Sequence, residues 1–200
     1  MAAPENMFTI TERKIENERV NATFPQVKGL ADLQVQSKVN EKIQDTVYKM
    51  IWNESFEKEV QLVEGNYQIT LNRGNIISMF IEMAFFLPDN SMTQKKAKSF
   101  TFNMKTGDVF KFEDLFKDDT DYVERINKMI KRQIIEGNIP LVKKFKTIEK
   151  DEKFYLTPDA VVVYYPANEY TPPECGMLKF TVNIEDVRDL VYSRGPLGRV

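Results

Sequence analysis

The chain has no histidine, a single cysteine and no long uninterrupted apolar run. Each shortage excludes a class of chemistry. Without histidine there is no Ser-His-Asp or Cys-His activation of a nucleophile, no imidazole acid–base catalysis and no usual zinc or iron ligand set. Cys175 alone cannot close an intrachain disulfide, and neither Glu174 nor Gly176 brings a cation beside it, so an inert thiol is expected. The longest apolar stretch, Ile76 to Leu87, is interrupted by Ser78 and Glu82. It falls short of the ~18 apolar residues of a membrane span, and no membrane insertion is expected. Met1 to Asn6 carries no basic segment and no apolar core follows, so the chain as written is expected to be cytoplasmic. An excess of one charge is also missing: 28 basic side chains meet 30 acidic ones, a net charge of -2. That balance supplies no global field for nucleic acid, and no nucleic-acid partner is expected. Neither a cofactor nor a metal is expected.

What is present is ordinary globular material: 200 residues, 42% hydrophobic and 12% aromatic. Phe8–Thr11 and Arg19–Phe24 read as two strands around the polar turn Glu16-Asn17-Glu18, and Pro25 suits a strand end or an edge. From Asp32 to Glu57, Val35, Val39, Ile43, Val47 and Ile51 recur every four residues, joined by Met50 and Trp52. This predicts a long amphipathic helix able to cover one face of a sheet. Val60 to Asn72, with Tyr67, Ile69 and Leu71 on one side, and Ile76 to Phe86 predict a hairpin turning at Arg73-Gly74-Asn75. The second strand is apolar enough to be central and covered on both faces.

Ala97 to Met104 predicts a further strand, closed by Lys105-Thr106-Gly107-Asp108, where glycine admits positive φ. Glu113 to Phe116 reads as a helical turn. Asp121 to Ile135 reads as a second amphipathic helix with Tyr122, Ile126, Met129, Ile130 and Ile134 inward and Gly137 as its stop. Ile139 to Phe145 is a connector or a short helix. Phe154–Leu156, Ala160–Tyr165 and Met177–Val182 read as the last strands, and Asn183 to Val187 as a closing helix or turn. The fold class is α+β: a mainly antiparallel sheet packed by one long N-terminal helix and a second amphipathic helix. Residues 7–93 are expected to form a strand-helix-hairpin subdomain, 94–190 an α/β subdomain, and 191–200 a flexible tail.

Only one stretch suggests more than folding. Tyr164, Tyr165, Asn168, Glu169, Tyr170, Thr171 and Pro172 make an acidic, aromatic, proline-stiffened loop. Its tyrosines offer planar surfaces for a sugar ring or a partner side chain, and Glu169 can accept hydroxyl hydrogen bonds. The competing reading is structural, with Glu169 capping backbone amides and the tyrosines packed on the sheet. Asp118, Asp119 and Asp121 lack calcium-loop spacing and read as the acidic start of the second helix. Glu113 and Asp114 are adjacent, a spacing that rarely converges on one substrate. Lys95, Lys96, Lys98 and the Lys143-Lys144-Phe145-Lys146 cluster read as solvated faces, although they can meet phosphates or acidic partners.

Several of these motifs together carry a resemblance. Lys105-Thr106-Gly107 followed by Phe112-Glu113-Asp114-Leu115-Phe116 resembles the KTG and L-x-D-L-F signature of a bacterial module of unknown function. Phe154-Tyr155-Leu156 through Val163, Tyr164, Glu169, Pro172 and Gly176 is similar to its FYL…YE-x-x-P region. That module forms the lysozyme-binding extracellular sensor of the anti-sigma factor RsiV and accompanies the catalytic domain of the peptidoglycan deacetylase PdaC. The N-terminal half, with its two strands, long helix and hairpin, resembles the partner module usually found upstream, so the resemblance covers most of residues 7 to 190, with departures. Ser91 to Ala97 replaces a glycine- and histidine-rich segment, and Asn168 stands where a tyrosine precedes the motif glutamate. Transmembrane, sigma-binding and deacetylase parts do not appear. The resemblance implies a non-catalytic binding or sensing module at the cell surface, whose partner is a protein such as lysozyme or a peptidoglycan fragment. The alternatives are a histidine-independent, carboxylate-based hydrolase of cell-wall glycans and an intracellular or spore-associated structural protein.

Overall fold

A computed structural model describes residues 8–52 and 60–199. The chain divides into two compact units, residues 1–108 and 109–200. The expected boundary at 93/94 falls inside a strand; the division comes later, because that strand completes its pairing first.

In the first unit, β1 (Thr9–Asn17), β2 (Val20–Lys28), β3 (Leu62–Arg73), β4 (Ile76–Phe86) and β5 (Met92–Asn103) form a five-stranded sheet in that order. Every pairing is antiparallel except β2 with β3, which are parallel and joined across α1 (Leu33–Trp52). Asp32 starts the helix: its carboxylate accepts the Gln34 and Val35 N–H groups at 2.8 and 3.1 Å. Two of the amides that the first turn leaves unpaired are thereby satisfied. Val39, Ile43, Val47 and Ile51 are fully buried against Val20, Ala22 and Phe24 of β2 and the β4 row Ile77, Met79, Ile81, Met83 and Phe85. Trp52 does not join that stripe. One position past Ile51 it points about 100° away, and it stands 43% exposed, its ring 5.0 Å from that of Tyr48. The expected continuation of the helix to Glu57 lies outside the described residues.

The β3–β4 hairpin turns on Gly74 and Asn75, both with positive φ (61° and 62°), the conformation of a two-residue type I′ loop. A bulge between Ile69 and Leu71 shifts the register, so Leu71 pairs with Ser78 and leaves the face that Tyr67 and Ile69 share. Sequence alternation alone had put all three on one side.

Pro25 sits in the interior of β2. The pairing of β2 with β3 ends at Ala22, and beyond it both the N–H and the C=O of Val27 are met by the Asn40 side chain of α1. Strand alternation puts the missing N–H of Pro25 on that same unpaired edge, where it costs no ladder bond.

In the second unit, β6 (Phe154–Leu156), β7 (Ala160–Tyr165) and β8 (Leu178–Asn183) form a separate three-stranded antiparallel sheet. The expectation of one sheet served by both helices is therefore corrected: α2 (Tyr122–Glu136) packs with this second sheet, whose inner strand is β7. Tyr122, Ile126 and Ile130 are its buried residues, and Phe112, Phe116, Tyr122 and Phe154 form an aromatic cluster. Asp121 occupies the position before the helix but makes no side-chain cap bond, and the left-handed residue after it is Asn138 (φ 46°), not Gly137. Residues 139–145 form no helix.

After β8, α3 (Ile184–Val187) leads into a further helical turn. The segment expected to be a flexible tail packs instead. Leu197 is buried, Val191 bridges to Phe116, and Tyr192 N–H reaches the Leu115 C=O. Close approach fixes it: a side chain at Gly195 would meet the Asp114 carbonyl at 2.8 Å, and one at Gly198 the Ser193 backbone. Among the described residues, no helix is long and apolar enough to cross a membrane.

Candidate functional site

The candidate loop leaves β7 at Tyr165 and returns at the start of β8. Along β7 every residue is buried, so alternation sends Tyr164 and Tyr165 into opposite, covered faces. Tyr164 is 1% and Tyr165 2% exposed, and neither ring is offered to solvent. Thr171 is also fully buried, its hydroxyl without a hydrogen-bond partner among the described residues. Glu169, Tyr170 and Pro172 are half-buried, and Asn168, in the left-handed region at φ 71°, is exposed. The seven residues thus split into a buried floor and a short accessible rim.

The floor is built around Glu152, which lies 13 residues before Tyr165 and is itself buried. One carboxylate oxygen accepts the Tyr165 hydroxyl at 3.0 Å and the Glu149 N–H at 3.0 Å; the other accepts the Lys153 N–H at 3.2 Å. Burial first, then the Glu152 charge and hydrogen bond, raise the Tyr165 phenol far above the ordinary tyrosine range. Tyr165 is a locked donor, useless as a proton acceptor at neutral pH.

Tyr170 stands edge-to-face on Tyr165 with ring centres 4.8 Å apart, and Phe145 lies 5.8 Å from it. The Lys143 ammonium sits over its ring at 5.0 Å, a cation–π contact. Partial burial and the charges of Glu169, Glu152 and Glu149 raise its phenol as well. Glu169 pairs with Lys153 at 3.3 Å rather than capping backbone amides. Val142 N–H donates to the Tyr170 C=O at 2.9 Å, tying the loop to the segment after α2. Pro172 is extended, Pro173–Cys175 make one helical turn, and Gly176 reverses the chain at φ 67° with open space where a side chain would stand.

Sequence reasoning found the loop but missed Glu152, Lys153, Phe145 and Val142. Glu152 lies in the charged run Lys150-Asp151-Glu152-Lys153, which carries no mark of burial. Of the other candidates, Lys143 joins the loop by covering Tyr170, whereas Glu113 and Asp114 stay apart from its network. Asp114 accepts the Lys111 N–H at 2.7 Å, and Glu113 reaches the Lys111 ammonium at 3.9 Å, so both serve their own turn.

Residues 113–185 match the model of a family described as a protein of unknown function, DUF3298. A search of curated proteins finds no match. In fold the chain is similar to a DUF3298-family protein from Bacteroides fragilis, 12% identical, with a TM-score of 0.64 over 96% of each chain. It is likewise similar to one from Pseudomonas aeruginosa, 8% identical, with a TM-score of 0.63 over 95% of this chain and 94% of that one. At these identities the likeness is one of fold. The matched stretch contains the whole candidate loop together with its supports Glu152 and Lys153.

Proposed function

We propose that this protein is a non-catalytic binding module whose contact surface is the rim Asn168, Glu169, Tyr170 and Pro172. The partner is a protein such as lysozyme, or a peptidoglycan fragment, as for the RsiV sensor module the sequence resembles. One observation carries the reading: a half-exposed tyrosine held rigid from beneath by a buried Tyr165–Glu152 pair and from the side by Lys153–Glu169. A pre-ordered aromatic loses little conformational freedom when it meets a partner. Interfaces concentrate their energy on such residues. The same carboxylates argue against bond cleavage, because Glu152 is committed to three donors and Glu169 to an ammonium.

Titration calorimetry with lysozyme and with muropeptides tests the reading. Tyr170→Ala is expected to weaken the binding of one of them by about 2 kcal/mol, the scale of an interface hot spot, while its circular dichroism matches the parent. Absence of binding to either, or release of reducing ends or acetate by the parent protein, rejects it.

A further inference from the structure

The segment from Lys131 to Lys146 breaks the charge balance of the chain. It holds five basic side chains against Glu136 alone, a net charge of +4 in a protein whose total is -2. Within it, Ile135 is 73% and Val142 64% exposed, two of the most exposed large hydrophobic residues among those described. Together with the exposed lysines these two aliphatic side chains make the segment both cationic and apolar at its surface.

The display is fixed by the scaffold. Asn138 takes the left-handed conformation, and Ile139 N–H returns to the Ile134 C=O at 3.1 Å, folding the chain back at the end of α2. Val142 is held by its N–H bond to Tyr170. Phe145 is buried to 3% and anchors the strip, while Lys144 and Lys146 on either side of it are exposed. Among the described residues, Lys131, Lys144 and Lys146 form no ion pair; Arg132 reaches Glu136 at 3.8 Å, and Lys143 covers Tyr170.

We propose that this strip is a docking surface for an anionic lipid bilayer. Lysine stems reach phosphate headgroups while Ile135 and Val142 enter the acyl boundary, the division of labour of an interfacial anchor. Nucleic acid fits less well. Lysines grip its phosphates too, but its bases stack on exposed aromatic rings, whereas here the phenylalanine is interior and the exposed apolar side chains are aliphatic. The surface is distinct from the rim proposed to bind a partner and borders it at the Val142–Tyr170 bond.

Sedimentation of the full chain with vesicles tests this. The protein is expected to pellet with equal parts phosphatidylcholine and phosphatidylglycerol, to stay in solution with phosphatidylcholine alone, and to be released by salt. Each basic charge contributes about fivefold to partitioning, so Lys144→Gln with Lys146→Gln should lower it about 25-fold. Ile135→Ser with Val142→Ser should lower it roughly tenfold, and Lys42→Gln on α1 should leave it unchanged. No pelleting by the parent, equal pelleting with both vesicles, or indifference to either double variant overturns the proposal. Duplex DNA or polyglutamate bound more tightly than vesicles, and undiminished by the serine variant, overturns it in favour of a polyanion site. Unchanged circular dichroism of the variants confirms that surface chemistry, and not folding, is being read.

Discussion

At the scale of single residues, Tyr165 and Glu152 form the buried polar pair on which the loop stands. Their bond makes an expected signature in alkali. The phenols of Tyr67, Tyr122, Tyr165 and Tyr170 are all raised, with burial as the largest cause in each. The folded protein therefore keeps protons that the unfolded chain releases near the ordinary tyrosine value of about 10. The stability they contribute is complete below that pH and is lost as pH rises toward the folded values. Phenolate absorbance should thus show these four tyrosines titrating late and together with loss of the folded circular dichroism. Tyr165→Phe removes a hydrogen bond to a buried carboxylate and should cost about 1–3 kcal/mol in denaturant unfolding at neutral pH. It should also flatten the alkaline loss. A variant with parental stability and the parental alkaline midpoint would show that the pair is incidental. The tyrosines were legible as a β7 ending in aromatics, and their packing on the sheet was one of the two readings of the loop. Glu152 was not legible, because it reaches Tyr165 only through tertiary structure.

At the scale of elements, two helices use side-chain amides to finish strands that lack a neighbour. Asn40 of α1 meets both backbone groups of Val27 in β2, at 2.8 and 2.9 Å. Gln133 of α2 does the same for Thr181 in β8, at 3.1 and 2.9 Å. An unpaired strand edge invites association, and a helix amide closes it locally. Replacing Asn40 by Ala leaves the Val27 N–H and C=O without partners in a part-buried place, at a cost of about 2 kcal/mol. The thermal midpoint should fall by roughly 5 °C. Asn40→Asp, which keeps the acceptor for the Val27 N–H but sets a carboxylate oxygen against the Val27 C=O, should not restore the parental midpoint. Equal midpoints for parent and Ala variant would refute the role. Such residues were invisible in the sequence, since a polar amide on a helix reads as solvent-facing. The α1 stripe, by contrast, was legible in five residues at four-residue spacing, and only the ends of the pattern misled: Trp52 turned outward. The bulge beside Thr70 escaped notice because alternation of side chains carries no sign of an inserted residue.

At the scale of the whole molecule, hydrophobic periodicity gave the elements and their order, while the partition into sheets depended on pairings distant in sequence. The expected division at 93/94 groups the strand Ala97 to Met104 with the residues after it; in the fold β5 pairs along its length with β4. The last residues looked like tail because glycine and proline dominate them, yet Gly195 and Gly198 are there for close backbone approach. Each unit has an apolar strand paired on both sides: β4 lies between β3 and β5, and β7 between β6 and β8. Amides in the middle of a sheet open only with its core, whereas edge strands open locally. Native-state hydrogen exchange should therefore find two separate sets of slow amides, one centred on Ile77 to Ile81 and one on Val161 to Val163, residues buried to 0–6% exposure. Exchange should be faster along β1, which pairs on one side only. A single slow set confined to one unit, or protection of β1 equal to that of β4, would contradict an arrangement of two sheets each stabilised around a central apolar strand.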